Sequence, residues 1–341
     1  MKKFSFFIAI LQRDRSEINI LLNMRHRIFI SLLIAFLPMV AEGMEKDSLL
    51  VMFWNLENLF DSRVDSASDA EFSAEGKRHW SGGKFQAKCN AISKAIFWIA
   101  DEKGRMPDVI GVAEVENRYV LWRLVNSTLL RKYEYKIVHF DSPDPRGIDV
   151  GLLYLPSRLE LLRSLPLRVG GEEFRTRDIL QAEFEIFKDT IAILVNHHPS
   201  KYGGAASSPR RIAAMRVLAE AADSLERAGI MNIIAMGDFN DTPENLAFRL
   251  LDGILINLAV PLAEKGEGTI RFNGKWDMID MFMVSENFGD ARMEILHIPF
   301  LSARDNAHSG EKPLRTFSGP RYLGGVSDHC PILLNIHLSR D

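Results

Sequence analysis

Residues 233–242 read I-I-A-M-G-D-F-N-D-T, an apolar run that stops at Gly237 and is followed by an acid and an amide one residue apart. On an extended segment that spacing puts Asp238 and Asn240 on the same side, where a buried strand would emerge from a sheet. The carboxylate can orient water or bind a metal, and the amide can hold an anionic oxygen. D-x-N also occurs in ordinary turns, so its weight depends on what stands at the other strand ends.

Those ends repeat the pattern. Residues 48–54 are apolar and run into Asn55, and 109–113 run into Glu114. Residues 191–195 end in Asn196-His197-His198, 278–284 carry Asp280, and Asp328-His329 lead into the last run, 330–336. Turn chemistry explains any one of these residues, yet Lys, Ser and Thr would serve turns equally well. Together the acids, amides and imidazoles would line one rim. Alternation predicts that His197 and His198 face opposite ways, and the N-H-H-P-S-K context favours His197.

Between the strands, Phe85, Cys89, Ile92, Ile96 and Ile99 fall at helical spacing. Asn117 caps a second helix, and Ser208-Pro209 open a third that Gly229 closes. A fourth is expected from Pro243-Glu244 to Leu251, with Asp241 at its start. Runs 135–140 and 148–155 flank the turn 142–147, which carries Arg146, and 179–187 forms a further strand. Residues 61–83 and 303–325 read as polar surface loops. Solidly apolar strands, several joined by short links, fit two packed sheets with helices outside better than one doubly wound sheet. No linker divides 44–341, which is expected to be a single domain.

The chain has 341 residues, 47% apolar and 26% charged, with a net charge of −3. That composition supports a large core and excludes coating nucleic acid by charge alone. Residues 24–43 comprise a short basic segment, about a dozen apolar residues and a small-residue exit, the pattern of a signal peptide for a secreted or periplasmic protein. Residues 1–23 are then expected to be an upstream extension, with the true start at Met24. Cys89 and Cys330 lie in apolar patterns and are read as buried core residues. There is no G-x-x-x-x-G-K-[ST] loop and no G-x-S-x-G elbow, which argues against nucleotide-driven phosphoryl transfer and against a serine hydrolase.

Carboxylates and amides without cysteine suit a hard cation, Mg²⁺ or Mn²⁺, and with histidine they suit phosphoester hydrolysis. The segments F-W-N-L-E-N-L-F-D, D-V-I-G-V-A-E-V-E-N, R-G-I-D-V-G-L-L-Y, V-N-H-H-P-S-K, M-G-D-F-N-D, M-I-D-M-F-M-V-S and V-S-D-H-C-P-I resemble, in order, the motifs of the endonuclease/exonuclease/phosphatase (DNase I-like) family. The resemblance spans about residues 50–337 and implies a four-layered α/β sandwich of two mostly antiparallel sheets.

It also implies roles. Glu114 would be the main metal ligand, with Asn55 beside the metal and Asp328 as a further ligand. Asp238 would activate the attacking water, and Asn240 would bind the scissile phosphate. Asp328 would hold the tautomer of His329, which contacts phosphate, and Asp280 would support a catalytic histidine or the leaving group. His197 would stand near the leaving group, and Arg146 would contact phosphate from its turn. Lys201, Arg210 and Arg211 could add charge for a polyanion, while Glu57 and Glu116 read as rim or loop residues. The implied activity is that of a metal-dependent phosphodiesterase, with DNA or RNA as the leading substrate and no protein partner, acting as a monomer. Inositol phosphates, sphingomyelin or another small phosphoester are the alternatives. A non-catalytic module of the same fold is disfavoured by the intact set Asn55, Glu114, Asp238, Asn240, Asp328 and His329.

Overall fold

The computed structural model describes residues 48–64, 70–171, 174–201 and 204–337. The stretches read as an upstream extension and a signal peptide lie outside them. Leu49–His337 form one compact unit.

β1 (Ser48–Leu59) runs past its apolar segment because Glu57 and Asn58 take positive φ, 45° and 58°, and shift the register with its neighbour. Ser81 caps α1 (Gly82–Lys103) by accepting from the Lys84 amide, and Gly104 ends it at φ 76°. β2 (Val109–Val115) pairs parallel with β1. Asn117 caps α2 (Arg118–Asn126) as its side chain predicts. β3 (Lys136–His139) and β4 (Asp149–Tyr154) form a hairpin around the turn that carries Arg146.

The second sheet begins with β5 (Glu160–Leu167), β6 (Ile179–Ile186) and β7 (Asp189–His197). α3 (Ser208–Arg227) buries a stripe through Met215, Leu218, Ala222 and Leu225 and returns the chain to β8 (Asn232–Asp238), parallel to β7. There follow β9 (Ile256–Asn257), the hairpin β10 (Ile270–Phe272) and β11 (Lys275–Asp277), and β12 (Asp280–Val284). β13 (Ala291–Ile295) returns to the first sheet. Two small hairpins come next, β14 (Ser302–Arg304) with β15 (Glu311–Pro313) and β16 (Phe317–Ser318) with β17 (Arg321–Tyr322), before β18 (Ile332–His337).

The two six-stranded sheets have the orders β13-β18-β1-β2-β4-β3 and β5-β6-β7-β8-β12-β9. They pack face to face in a four-layered α/β sandwich. Alternation along β1 sends Leu50, Met52 and Trp54 into a cluster with Phe85, Cys89, Ile92, Ile96 and Ile99 of α1. Phe53 points the other way, between the sheets. A Cβ on Gly111 of β2 would come within 2.5 Å of the Met236 methyl of β8, so the absent side chain is what lets the sheets approach there. Gly237 does the same within a sheet, since a Cβ on it would overlap the carbonyl oxygen of Asn196 on β7. Both cysteines are buried and free.

Two expectations need correction. Residues 243–251 form no α-helix, only a 3-10 turn, Leu246–Leu251, capped by Asn245. Leu246 is exposed, so the segment lacks the continuous apolar face that would stabilise a helix by packing. Residues 303–325 hold most of the two small hairpins rather than plain loop. β5 escapes the apolar pattern because it is an exposed edge strand, with Pro166 where an edge tolerates it.

Candidate active site

Register brings the polar strand ends of the second sheet to one level. Asp238, the last residue of β8, stands opposite His197 on β7 and opposite Asp280 on β12. The first sheet supplies Asn55 from β1, Glu114 from β2 and His329 just before β18. The Asn55 amide donates to Asp238 Oδ2 at 3.0 Å, and its Oδ1 accepts the Glu57 N–H. His197 Nε2 lies 3.6 Å from Asp238 Oδ2 and 3.9 Å from Glu114 Oε1. The rim is therefore a seam between the two sheets.

Four of the nine positive-φ residues other than glycine among the described residues lie along this seam. Glu57, Asn58, Glu114 and Asn240 all have φ between 45° and 58° without being glycine. Each kink does local work. The Asn58 N–H donates to Glu114 Oε2 at 3.0 Å, and the Asn240 N–H donates to Asp238 Oδ1 at 2.9 Å. Asn240 thus reaches the side of Asp238 through a turn after the strand, not by strand alternation. Its side-chain amide donates to the His198 carbonyl at 3.0 Å.

His329 is held from several directions. Its Nδ1 sits 2.7 Å from Asp280 Oδ2, its N–H donates to Ser327 Oγ, and its carbonyl accepts the Trp54 indole N–H at 2.9 Å. The Nε2 faces Asp238 Oδ2 at 3.9 Å. Burial opposes the imidazolium, but Asp280, Asp238 and Asp328 hold its pKa well above the usual histidine value. Burial, followed by the charge of Asp280, pushes the Asp238 carboxyl up to about 7, despite the opposing pull of His329 and of the Asn240 and Asn55 donors. His197 is driven the other way, well below its ordinary value, by burial and by Arg177, Arg146 and His329. Its Nδ1 is buried without a hydrogen-bond partner, as is Asp280 Oδ1.

The structure corrects the partner assigned to His329. Asp280, not Asp328, fixes its tautomer. Asp328 Oδ2 pairs with Arg315 at 3.0 Å, and its other oxygen stays 3.9 Å from His329 Nε2. Glu57 is likewise no rim residue. It is buried, accepts from Arg315 Nε at 2.9 Å and from the Thr316 N–H at 3.0 Å, and its carbonyl accepts the Lys88 ammonium at 2.6 Å. Glu116 holds the Asp61 N–H and stays outside the cluster. Arg315 and Lys88 carried no signal in the sequence, since one lies in a loop and the other in the middle of a helix.

Arg146 does reach the rim, donating to Asn58 Oδ1 at 3.0 Å and Glu114 Oε1 at 3.2 Å. Its turn is braced by Arg177, which spans Asp144 and the His198 carbonyl. Lys201 and Arg211 do not converge on the site, because both pair with Asp241, at 3.1 and 2.9 Å. Arg210 lies over the Phe174 ring. Asp241 is thus the counter-ion of α3 and its preceding loop rather than the start of a helix. His198, its ring edge-on to Phe239, faces away from Asp238 as alternation predicts.

The donor set fits a hard divalent cation. Oxygen ligands dominate, and Asp238 and Asp280 bring two buried carboxylates within 4.8 Å of each other, with burial first and Asp280 second raising the pKa of Asp238. Glu114, Asn55 and Asp328 supply further oxygens at the seam.

A family model described as Endonuclease/Exonuclease/phosphatase family matches residues 50–338. No curated protein matches the chain by sequence. Among solved structures, an endonuclease/exonuclease/phosphatase family protein from Bacteroides thetaiotaomicron is 16% identical, with a TM-score of 0.55, over 86% of this chain and 99% of its own. The human Nocturnin catalytic domain with bound sulfate gives 16% identity and a TM-score of 0.55 over 86% of this chain and 96% of its own. D. rerio TDP2 complexed with single-strand DNA product gives 15% and 0.52 over 85% of this chain and 98% of its own. At these identities the likeness is one of fold.

Proposed function

This chain belongs to the endonuclease/exonuclease/phosphatase family, whose members are metal-dependent phosphoric ester hydrolases, and from that premise we propose a secreted or periplasmic, Mg²⁺-dependent phosphodiesterase that cleaves nucleic-acid phosphodiester bonds endonucleolytically. The observation that carries the hydrolytic reading is the row His197, Asp238 and Asp280 on one sheet, closed by His329 from the other.

Glu114, with Asn55 and Asp328, would hold the cation. When bound, it neutralises phosphate charge. Asp238 takes the role of orienting and deprotonating the attacking water, as a carboxylate raised by burial and steered by the Asn55 and Asn240 donors. His329, kept as an imidazolium by Asp280, stabilises charge on the phosphate. Neutral His197 stands beside both carboxylates, placed to attend the leaving oxygen. Arg146 and the Asn240 amide are the phosphate contacts.

Nucleic acid is favoured over a lipid head group because 199–208 is too short and bland for a lipid-inserting element. The D. rerio TDP2 complex with its DNA product lends the same direction by fold. Export rests on the basic-then-apolar pattern of residues 24–43. N-terminal sequencing of the exported protein tests it, and a mature chain starting before Ala41 would count against it.

The deciding experiment is hydrolysis of plasmid DNA, RNA, inositol phosphates, sphingomyelin and nucleotides, each with Mg²⁺, Mn²⁺ or chelator. Metal-dependent nicking of plasmid, lost in Asp238→Ala and His329→Ala, is the expected outcome. Turnover of only the small phosphoesters would replace the nuclease reading, and no turnover above the variants would remove the catalytic assignment.

A further inference from the structure

The β10–β11 hairpin is bolted to the catalytic histidine. Ile270 bridges directly to His329, the Cys330 N–H donates to the Thr269 carbonyl at 2.7 Å, and the Asp280 N–H donates to Thr269 Oγ1 at 3.1 Å. Two residues beyond Ile270, at the end of the same strand, Phe272 is 68% exposed. The strand beneath it is rigid, because the Arg271 guanidinium donates to the carbonyls of Gly274, Ser309 and Glu311. The exposed ring thus presents a flat aromatic face on a strand tied through Ile270 to the segment that carries His329.

Phe272 lines a groove of about 300 Å³, the lower end of the range for small-molecule sites. Asn273, His308, Lys312, Arg315 and Asp328 line it as well. Asp328 Oδ1 lies 3.9 Å from His329 Nε2, so a residue that touches the catalytic histidine and the exposed ring share one groove. Lys312 and His308 both lean on Asp305, at 3.3 and 3.4 Å, which fixes them as directional hydrogen-bonding groups.

We propose that this groove is the subsite for the nucleobase next to the scissile phosphate, with Phe272 as its stacking face. The proposal deepens the nucleic-acid reading and rests on it for the substrate class. With the phosphate at His329, the attached sugar passes Arg315 and Asp328, and the base lies on the Phe272 ring. Asn273, His308 and Lys312 then meet its polar edge. A flat π-face with polar groups around it suits a planar heterocycle, and stacking of this kind tolerates every base. A membrane contact would need neighbouring apolar residues, whereas Phe272 is followed by Asn273 and lies between basic and polar side chains.

The test is binding to the full chain with Mg²⁺ in an Asp238→Ala background, chosen to suppress turnover. Adenosine monophosphate and ribose 5-phosphate are titrated calorimetrically. Without Phe272→Ala, the nucleotide is expected to bind about tenfold more tightly than the sugar phosphate. Phe272→Ala abolishes that difference, and Phe272→Trp restores it. Because the side chain is exposed, circular dichroism of the alanine variant should match its parent. Equal binding of the two probes, or a preference that survives Phe272→Ala, would overturn the proposal. So would Phe272-dependent sedimentation with sphingomyelin vesicles in the absence of any base preference, which would make the residue a membrane contact. The two readings fail separately. If oligonucleotides are cut but no base preference appears, only the subsite falls. If the preference holds while no nucleic acid is cut, the nuclease reading falls and a mononucleotide-type phosphoester takes its place.

Discussion

Asp280 Oδ2 and His329 Nδ1 are 2.7 Å apart although 49 residues separate them, with Asp280 opening β12 of one sheet and His329 preceding β18 of the other. The pair makes the second sheet's carboxylate responsible for the protonation of the first sheet's imidazole. Asp280→Asn is therefore expected to lower kcat at least a hundredfold. The raised His329 pKa keeps the imidazolium to alkaline pH, so the variant's alkaline limb should move toward lower pH. Asp328→Asn should move it much less. A pH–rate profile of the three proteins checks this.

Asp238 should trade stability for function. Its folded pKa, about 7, lies above its ordinary value of 3.8, so the folded state binds the extra proton between them and stability falls as pH rises across that window. At pH 8 in chelator, Asp238→Asn is expected to melt a few degrees above wild type while showing no hydrolysis. Mg²⁺ should raise the melting temperature of the wild type more than that of a Glu114→Gln variant. Thermal scans with and without metal measure both effects.

His198 predicts the acid limit of the fold. Burial, with Arg177 and Arg211 nearby, lowers its pKa from 6.5 to about 3. The unfolded chain takes up a proton that the folded chain refuses, so stability is lost as pH falls below 6.5 toward 3, by about 1.4 kcal/mol per pH unit. His198→Phe should flatten that slope between pH 6 and 4. Urea denaturation across the range compares the two slopes.

Glu57 should prove structural. Arg315, the Thr316 N–H and Lys88 all converge on this one buried residue. Glu57→Ala keeps the backbone carbonyl that Lys88 holds but leaves Arg315 and the buried Thr316 N–H without their carboxylate, and should cost about 3 kcal/mol. It also frees the 303–325 segment, so kcat/KM should fall while the pH profile keeps its shape. Denaturant melts and kinetics on the same preparation separate the two effects.

What could be read in advance was whatever is local. Apolar runs placed the strands, and their ends named Asn55, Glu114, His197, Asp238, Asp280 and His329. Alternation set His197 and His198 on opposite faces, and the N-H-H-P-S-K context chose His197. Partner choice was not local. Asp328 is the neighbour of His329 in sequence, but successive residues of an extended chain point apart, and the carboxylate that meets Nδ1 comes from another sheet. Glu57 looked like a loop acid because the kink that buries it is set by positive φ at Glu57 and Asn58, which composition does not announce. The helix expected after Pro243 does not form because Leu246 and Leu250 face water, so no continuous apolar face is covered.

Gly237 separates two strands that each end in a reacting group, with Asn196 and His197 on one side and Asp238 on the other. The atom missing from Gly237 sets how close the imidazole and the carboxylate come, because any larger residue would drive its own strand away from the Asn196 carbonyl. Position 237 is a ruler for the chemistry as well as a packing site. Among chains of this type, a replacement there should mark one that has given up hydrolysis, even where every acid and histidine is still in place.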